Sequence, residues 1–581
     1  MRDNDPSLTR VSEIFKRSGE ELGREDQEQW RSLLTESLDA AHANRGDEQA
    51  WARAAEILRK LKRHEEAISI VKEGIAHTSS LRLYHRYVSL LEECNRTEEA
   101  VAAAIKARAL FPEDLLMRLK EALILPVLYD SPSEVERYRR RFTSGLARLC
   151  GEIDLDTPEH RRDALNALGG HTNFYLGYQG SNDRDLQVQY GELAHRIMAA
   201  NYPQWAQPLA MPPVRDGELM RIGYVSARFR DLSAMRYFLG WLREHDRSRF
   251  AVHAYHMGRK TDGTTDEVRR ISQAFYHFPG QMEEACHAIR ADNLHALIFL
   301  DIGLDPILTQ LATLRLAPVQ CMAWDQPITS GLPTVDYFLS SDLAEPEHAQ
   351  DHYSERLIRL PGVGVCYQKP VIPAPLLHKT REDFQLRDDA TVYLCCQHVY
   401  KFLPGNDCVF TEIARRVPNA QFVFLAMNKL VGADLQTRLD RAFAAAGLQA
   451  SQHCVILPQL KQFDYWNLHL IADVFLDTIG WSSGASAFEA IACQMPVVTV
   501  PGELMRSRQA YAILTQLGVT QTIARDNAGY VDIAVRLATD RSFREGVKQR
   551  MVRGYPLLYS DTRSVRAIED FFRDVCGRRR S

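Results

Sequence analysis

From Met220 onward the chain alternates short apolar runs with stretches of helical composition, and the alternation stops once and then restarts. In the first series Arg221–Val225, Phe250–Tyr255, Ala296–Leu300, Pro318–Met322 and Tyr337–Leu339 read as strands, with a helix over Ser233–Leu242. In the second, Thr391–Leu394, Gln421–Leu425, Val455–Leu457, Val474–Leu476 and Pro496–Gly502 do. Runs this short and this uniformly apolar suit parallel strands buried on both faces. A Pro-rich bridge, Lys369–Pro375, separates the two series. The pattern predicts two doubly wound α/β domains joined by a linker, with ligand bound at the carboxyl ends of the strands in the cleft between them.

One stretch of the second series looks built for an anion. Val474–Leu476 ends at Asp477-Thr478 and passes into the small-residue turn Gly480-Trp481-Ser482-Ser483-Gly484-Ala485-Ser486, followed by a helical segment from Ala487 to Cys493. A strand, a Gly/Ser turn and a helix N-terminus let backbone N–H groups approach a phosphate while the helix dipole favours its charge. Glu489, one turn into that helix, is placed to take ribose hydroxyls. The alternative is an ordinary strand–turn–helix unit whose small residues serve packing.

Upstream the texture is helical. Trp30, Leu33, Leu34 and Leu38 recur at helical spacing within residues 1–45. Trp51, Ala67 and Gly74 then return as Tyr84, Ala100 and Ala107, each displaced by 33 residues, and Glu65-Glu66-Ala67 returns as Glu98-Glu99-Ala100. Stacked helical hairpins of this kind expose a concave surface suited to extended peptide. A helical cap on the neighbouring domain is the other reading. Residues 131–205 are helical in composition, with an aromatic segment at His171–Tyr175, and Pro203, Pro208, Pro212 and Pro213 mark a boundary.

Composition narrows the function classes. A net charge of -4 gives no general nucleic-acid footprint, and the Arg578–Arg580 tail is too small to change that. The polar N-terminus has no signal-peptide core, and no run approaches the ~18 apolar residues of a membrane helix. The 11 cysteines include no CxxC pair, which suits a reducing cytoplasm and gives no zinc spacing.

Several motifs, in order, carry a family resemblance. Pro318-Val319-Gln320-Cys321-Met322, Pro327-Ile328-Thr329-Ser330-Gly331 and Asp336-Tyr337 resemble the PxQxM, PGTSG and DY signature of protein O-GlcNAc transferases. Tyr400-Lys401 with Pro404 resembles that family's YKxxP segment, Leu476-Asp477-Thr478 its LDT, and Pro501-Gly502-Glu503 with Ser507-Arg508 its PGE and SR. Asp532–Val535 also fits.

The resemblance implies tetratricopeptide-like helical repeats over 1–130 and a helical connector over 131–215. It implies a GT-B glycosyltransferase with one Rossmann-like half at 216–368 (acceptor side), a linker at 369–383 and a nucleotide-sugar half at 384–581. It further implies inverting transfer without a metal or other cofactor, with UDP-GlcNAc as the default donor and Ser or Thr of a protein as acceptor, recruited through the repeats.

By the same matches, Lys401 would neutralise the leaving phosphate, which a metal-free site requires; a solvated loop lysine is the alternative. The backbone of Ser482, Ser483, Gly484, Ala485 and Ser486 would hold the diphosphate and Glu489 the ribose. Gln462 and Tyr465 fall where the family reads the base. Asp325 and Pro327 lie beside the donor sugar, Asp325-Gln326 replacing Gly-Tyr, and His398 stands in place of a phosphate-contacting glutamine. The family's histidines after the first strand are absent from Arg228–Ala234, which leaves Asp231 as the nearest proton acceptor or else a helix cap. Asp292 and His295 match an Asp-x-x-His or are ordinary surface groups. These departures keep open another donor (GDP-fucose, UDP-glucose or a CMP-nonulosonic acid), transfer to a small molecule or glycan, or a catalytically inactive peptide-binding scaffold.

Overall fold

The computed structural model describes residues 24–213, 217–372 and 379–578. The first 23 residues, Pro373–Pro375 of the expected linker and the end of the basic tail lie outside them. The chain divides into two compact units, Met1–Ile124 and Leu125–Ser581.

The first unit is helical, and its 33-residue echo is written into the element boundaries. Helices Glu48–Lys60 and His64–Thr78 are followed by Leu81–Glu93 and Thr97–Leu110. Lys62 and Asn95, the turn residues of the two hairpins, both take positive φ. Arg63 pairs with Glu66, and Arg96 with Glu99, on the next helix of each hairpin. Trp51 and Ala107 are fully buried, and a Cβ on Gly74 would fall 2.8 Å from the Trp51 ring. The small repeat positions are therefore where helices cross. Trp30 and Leu34 are buried from helix Arg24–Ala43.

The second unit carries two parallel sheets. Strands β1 (Met220–Ser226), β2 (Phe250–His256), β3 (Ala274–His277), β4 (Ala296–Phe299), β5 (Val319–Met322), β6 (Tyr337–Ser341) and β7 (Arg356–Leu360) form one, in the order 3-2-1-4-5-6-7. Strands β8 (Thr391–His398), β9 (Ala420–Ala426), β10 (Cys454–Pro458), β11 (Val474–Leu476) and β12 (Val497–Val498) form the other, in the order 10-9-8-11-12. In each sheet the order reverses beside the first strand, which opens a crevice at the strand ends. The GT-B architecture expected from the sequence is present.

Two strands escaped the sequence reading. The β3 edge strand is only four half-exposed residues, and the β7 edge strand interleaves arginines with its apolar residues. The run Pro496–Gly502 shortens to Val497–Val498, with Thr499 bridging to Ile523.

The last helix, Arg563–Arg578, departs from the expected division at 384–581, because it returns to the first sheet's half. Its Glu569 accepts from His245 Nδ1 at 3.1 Å and from the Asp246 N–H at 2.7 Å, and Phe571 packs edge-on against Tyr337. The strong amphipathicity of this helix supplies an apolar face that the second half leaves uncovered.

The connector helices are integral to the second unit. The backbone of helix Arg184–Asn201 touches the Pro327–Gly331 turn, where a Cβ on Gly191 would come within 2.2 Å of the Gly331 carbonyl oxygen. Gly331 itself has φ +70° and would place a Cβ 2.0 Å from the Gln187 carbonyl oxygen. No side chain fits at either position.

Candidate active site

A cavity of about 560 Å³ lies between the two α/β halves, at the ends of β5, β8, β9 and β11. Of the residues singled out from sequence, Asp231, Asp325, Pro327, His398, Lys401, Gln462, Tyr465, Gly484, Ala485, Ser486 and Glu489 line it.

Lys401 ends a short 3-10 turn that follows β8 directly. Its ammonium donates to Gln397 Oε1 at 2.7 Å, and the Gln397 amide in turn donates to the Ser486 hydroxyl. Confinement in the cavity wall lowers the Lys401 pKa to about 8, against the opposing pull of Asp477. A cation, an amide and a helix N-terminus are thus joined at one end of the cavity. The glutamine that joins them is Gln397, a neighbour of the expected His398, and the irregular register between Cys395 and His398 sets both on the wall.

The helix Ala485–Ala492 starts at Gly484 with no side-chain cap, and the Ala487 N–H closes back on the Gly484 carbonyl oxygen at 2.9 Å. Ala485 N–H currently meets the Tyr237 hydroxyl. A Cβ on Gly484 would lie 1.9 Å from that hydroxyl, so only glycine permits the approach.

Ser482 and Ser483 correct the sequence reading. Both are fully buried off the cavity wall, and their N–H groups are already bonded, Ser482 to the Arg506 carbonyl oxygen at 2.7 Å and Ser483 to Asp477 Oδ1 at 2.6 Å. Asp477 also accepts from the hydroxyls of Ser482, Ser483 and Thr499. Aspartate in the Leu-Asp-Thr segment therefore shapes the turn, and of the predicted anion-binding residues only Gly484–Ser486 line the cavity.

Glu489 is buried, and burial raises its pKa to about 7 although Arg236 opposes the rise. Arg236, from helix Ser233–Glu244 of the first half, reaches Glu489, Gln462 Oε1 at 3.1 Å and Asp231 Oδ1 at 3.0 Å. Asp231 is not a helix cap, since Leu232 holds that position without any side-chain bond. Its side chain is 62% exposed and paired with Arg236.

Sequence reasoning missed Arg236, Tyr237, Gln397, Trp481, Gln509 and the aromatic wall. Phe174 and Tyr178 of the connector line the cavity with Tyr400 and Trp481; Tyr178 stacks on Trp481 at 3.8 Å. The aromatic density of His171–Tyr178 was the available signal, because exposed aromatics in a connector need a partner surface. Asp292 and His295 lie off the cavity. Asp292 accepts from His253 Nδ1 at 2.9 Å and Tyr276 at 3.1 Å, and His295 accepts the Arg221 N–H at 3.0 Å.

Apart from Pro327 on the cavity wall, the family motifs of the first half brace the fold. Gln320 braces the loops around it through Leu314 O and Thr334 O, and Glu355 clamps Thr329 and Ser330.

With this geometry established, comparison with known proteins decides the family. The profile described as "Glycosyl transferase family 41" matches residues 190–365 and 368–557. The chain belongs to that family. Among similar proteins is a probable UDP-N-acetylglucosamine–peptide N-acetylglucosaminyltransferase SPINDLY of Oryza sativa subsp. japonica, 26% identical over 404 residues, covering 67% of this chain and 41% of the relative. A protein of the same description from Solanum lycopersicum is 24% identical over 442 residues, covering 74% of this chain and 45% of the relative. The chain spans less than half the length of these curated relatives. Among solved structures, an O-GlcNAc transferase mutant from Thermobaculum terrenum matches with a TM-score of 0.66 and 21% identity, covering 94% of this chain and 99% of that one. That likeness establishes the fold of this family member.

Proposed function

We propose that this chain is an inverting glycosyltransferase that moves a sugar, by default GlcNAc from UDP-GlcNAc, onto Ser or Thr of a protein acceptor. The observation that carries the reading is Lys401, linked through Gln397 to Ser486 at an uncapped helix N-terminus on the cavity wall. When a sugar leaves a nucleoside diphosphate, negative charge grows on the phosphate, and an ammonium beside oriented N–H groups is what stabilises it. Glu489 and Arg236 face the ribose end, Gln462 and Tyr465 the base end, and the Phe174, Tyr178, Tyr400 and Trp481 cluster gives an aromatic wall against which a sugar ring can pack. The curated relatives are named as peptide N-acetylglucosaminyltransferases, which supports a protein acceptor.

Donor identity is tested by thermal shift with UDP-GlcNAc, UDP-glucose, GDP-fucose and a CMP-nonulosonic acid. A ligand at a hundred times its Kd stabilises the folded state by about 2.7 kcal/mol. The UDP sugars, UDP-GlcNAc foremost, are expected to raise Tm; a rise with GDP or CMP donors alone overturns the UDP assignment. Failure of every nucleotide sugar to bind overturns the enzyme reading in favour of a scaffold.

Because lysine and a helix terminus supply the charge, transfer is expected to survive EDTA. Turnover abolished by chelation and restored by Mg²⁺ or Mn²⁺ would contradict metal-free transfer.

The helical unit is proposed to recruit the acceptor, its repeated hairpins forming a peptide-sized groove. Removing residues 1–124 is expected to leave UDP affinity unchanged and to lower turnover on a protein acceptor. If nucleotide binding vanishes with the deletion, the helices serve the fold and the acceptor is chosen at the cleft.

A further inference from the structure

The proposed reaction needs a group that takes a proton from the attacking hydroxyl. In a displacement with inversion the nucleophile and the leaving group stand on opposite sides of the reacting carbon. Lys401 and the Gly484–Ser486 turn, which would meet the leaving phosphate, both belong to the second α/β half. The base is therefore sought on the wall contributed by the first half.

Three carboxylates line the cavity: Asp231, Asp325 and Glu489. Glu489 is on the leaving-group half and bound to Arg236. Asp231 is open to solvent and held by the same arginine. Asp325 differs from both. It sits on the loop after β5 in the first half, between Trp324 and Gln326 of the cavity wall. Its Oδ2 is shut off from solvent and has no hydrogen-bond partner among the described residues. Asp325 as a whole is half-buried on the cavity wall, so Oδ2 is turned into the protein, where an enclosed carboxylate oxygen without a partner is costly.

We propose that Asp325 is the general base of the transfer, accepting the proton of the acceptor Ser or Thr hydroxyl. The inference rests on the glycosyltransferase reading. As the acceptor oxygen bonds to the anomeric carbon, its O–H proton moves to the Asp325 carboxylate. The bond from that carbon to the phosphate oxygen breaks, and its electron pair leaves on the nucleoside diphosphate opposite Lys401. Protonated Asp325 then returns its proton to solvent as products depart.

The surroundings suit the task. Tyr178, Tyr237 and Tyr400 lie within electrostatic range of Asp325, as do the Asp301 carboxylate and the Arg228 guanidinium. Enclosure raises the Asp325 pKa to about 6, with Arg228 limiting the rise. Asp325 is thus ionised near neutrality yet a better proton acceptor than an ordinary aspartate. Asp301, off the cavity and raised to about 8, accepts from Ser226 Oγ and Ala227 N–H and braces the loop after β1.

The test compares full-length wild type, Asp325→Asn and Asp231→Asn by UDP release from UDP-GlcNAc across pH, by UDP affinity and by Tm. The wild-type kcat/KM should fall on the acid side with a midpoint near 6. Asp325→Asn should lose on the order of a hundredfold or more in kcat, lack that acid limb, and keep UDP affinity and Tm. Asparagine matches aspartate in shape and removes a charge that the enclosure disfavours, so the fold should hold. Asp231→Asn should keep the limb. Near wild-type turnover in Asp325→Asn with the limb intact overturns the assignment while leaving the transferase reading in place, as does a loss of UDP affinity or Tm that accounts for the lost turnover. A wild type that neither binds UDP nor releases it from UDP-GlcNAc defeats both.

Discussion

Lys401→Ala is expected to lower turnover by on the order of a hundredfold or more, the usual loss when a group matched to transition-state charge is removed. That corresponds to about 2.7 kcal/mol of barrier. The ammonium donates to Gln397, whose amide continues to Ser486, so the variant loses both a charge and the anchor of a short chain ending at the helix N-terminus. The loss should fall mainly on kcat, since charge on the departing phosphate peaks in the transition state.

pH adds a second signature. Lys401 carries its charge below its pKa of about 8 and loses it as pH rises through that value. The kcat/KM of the free enzyme should therefore fall on the alkaline side near 8. With a diphosphate bound, the opposite charge favours the ammonium, so the limb in kcat should lie higher. Purified, folded Lys401→Ala with wild-type turnover would remove the lysine from the chemistry.

The second large effect is expected at Asp183, a residue off the cavity wall. Asp183 is 1% exposed and accepts from Arg139 at 2.8 Å and from Arg506, itself 4% exposed, at 2.9 Å. This network ties the connector to the segment that follows β12, and the Arg506 guanidinium also lies 5.7 Å from the centre of the Trp481 ring on the cavity wall. Asp183→Asn strips a buried arginine of its counter-charge, which costs about 3–5 kcal/mol. Tm should fall by roughly 5 °C or more, given the size of the unit. Arg139→Gln, which removes the more exposed partner, should cost less. Donor affinity should weaken in Asp183→Asn, because Arg506 without its counter-charge shifts from its place beside Trp481. An unchanged Tm would mean that water replaces the aspartate and that the connector is held by its aromatic and glycine contacts alone.

What the sequence by itself determined is local and periodic. Buried parallel strands are uniformly apolar, so ten of the twelve were legible, while β3 and β7 were hidden by their exposed edges. The 33-residue displacement prescribed two hairpins because each position must meet the same neighbour in each copy. Gly484–Ser486 and Glu489 were marked by their place after a strand, and Lys401 by its resemblance to the YKxxP segment, and all of them line the cavity.

Tertiary structure alone decided which groups share a wall. Arg236 meets Glu489 across 253 residues of chain, and Tyr178 meets Trp481 from a connector with no site motif of its own. It also sorted residues that look alike in the chain. Ser483 and Ser486 are both small polar turn residues, yet one is buried against Asp477 and the other faces the cavity. Asp231 and Asp325 are both short acids near strand ends, yet one is paired in solvent and the other has an oxygen enclosed without a partner. Burial and pairing are properties of the assembled fold, and they are what separate an acid that only balances charge from one able to accept a proton.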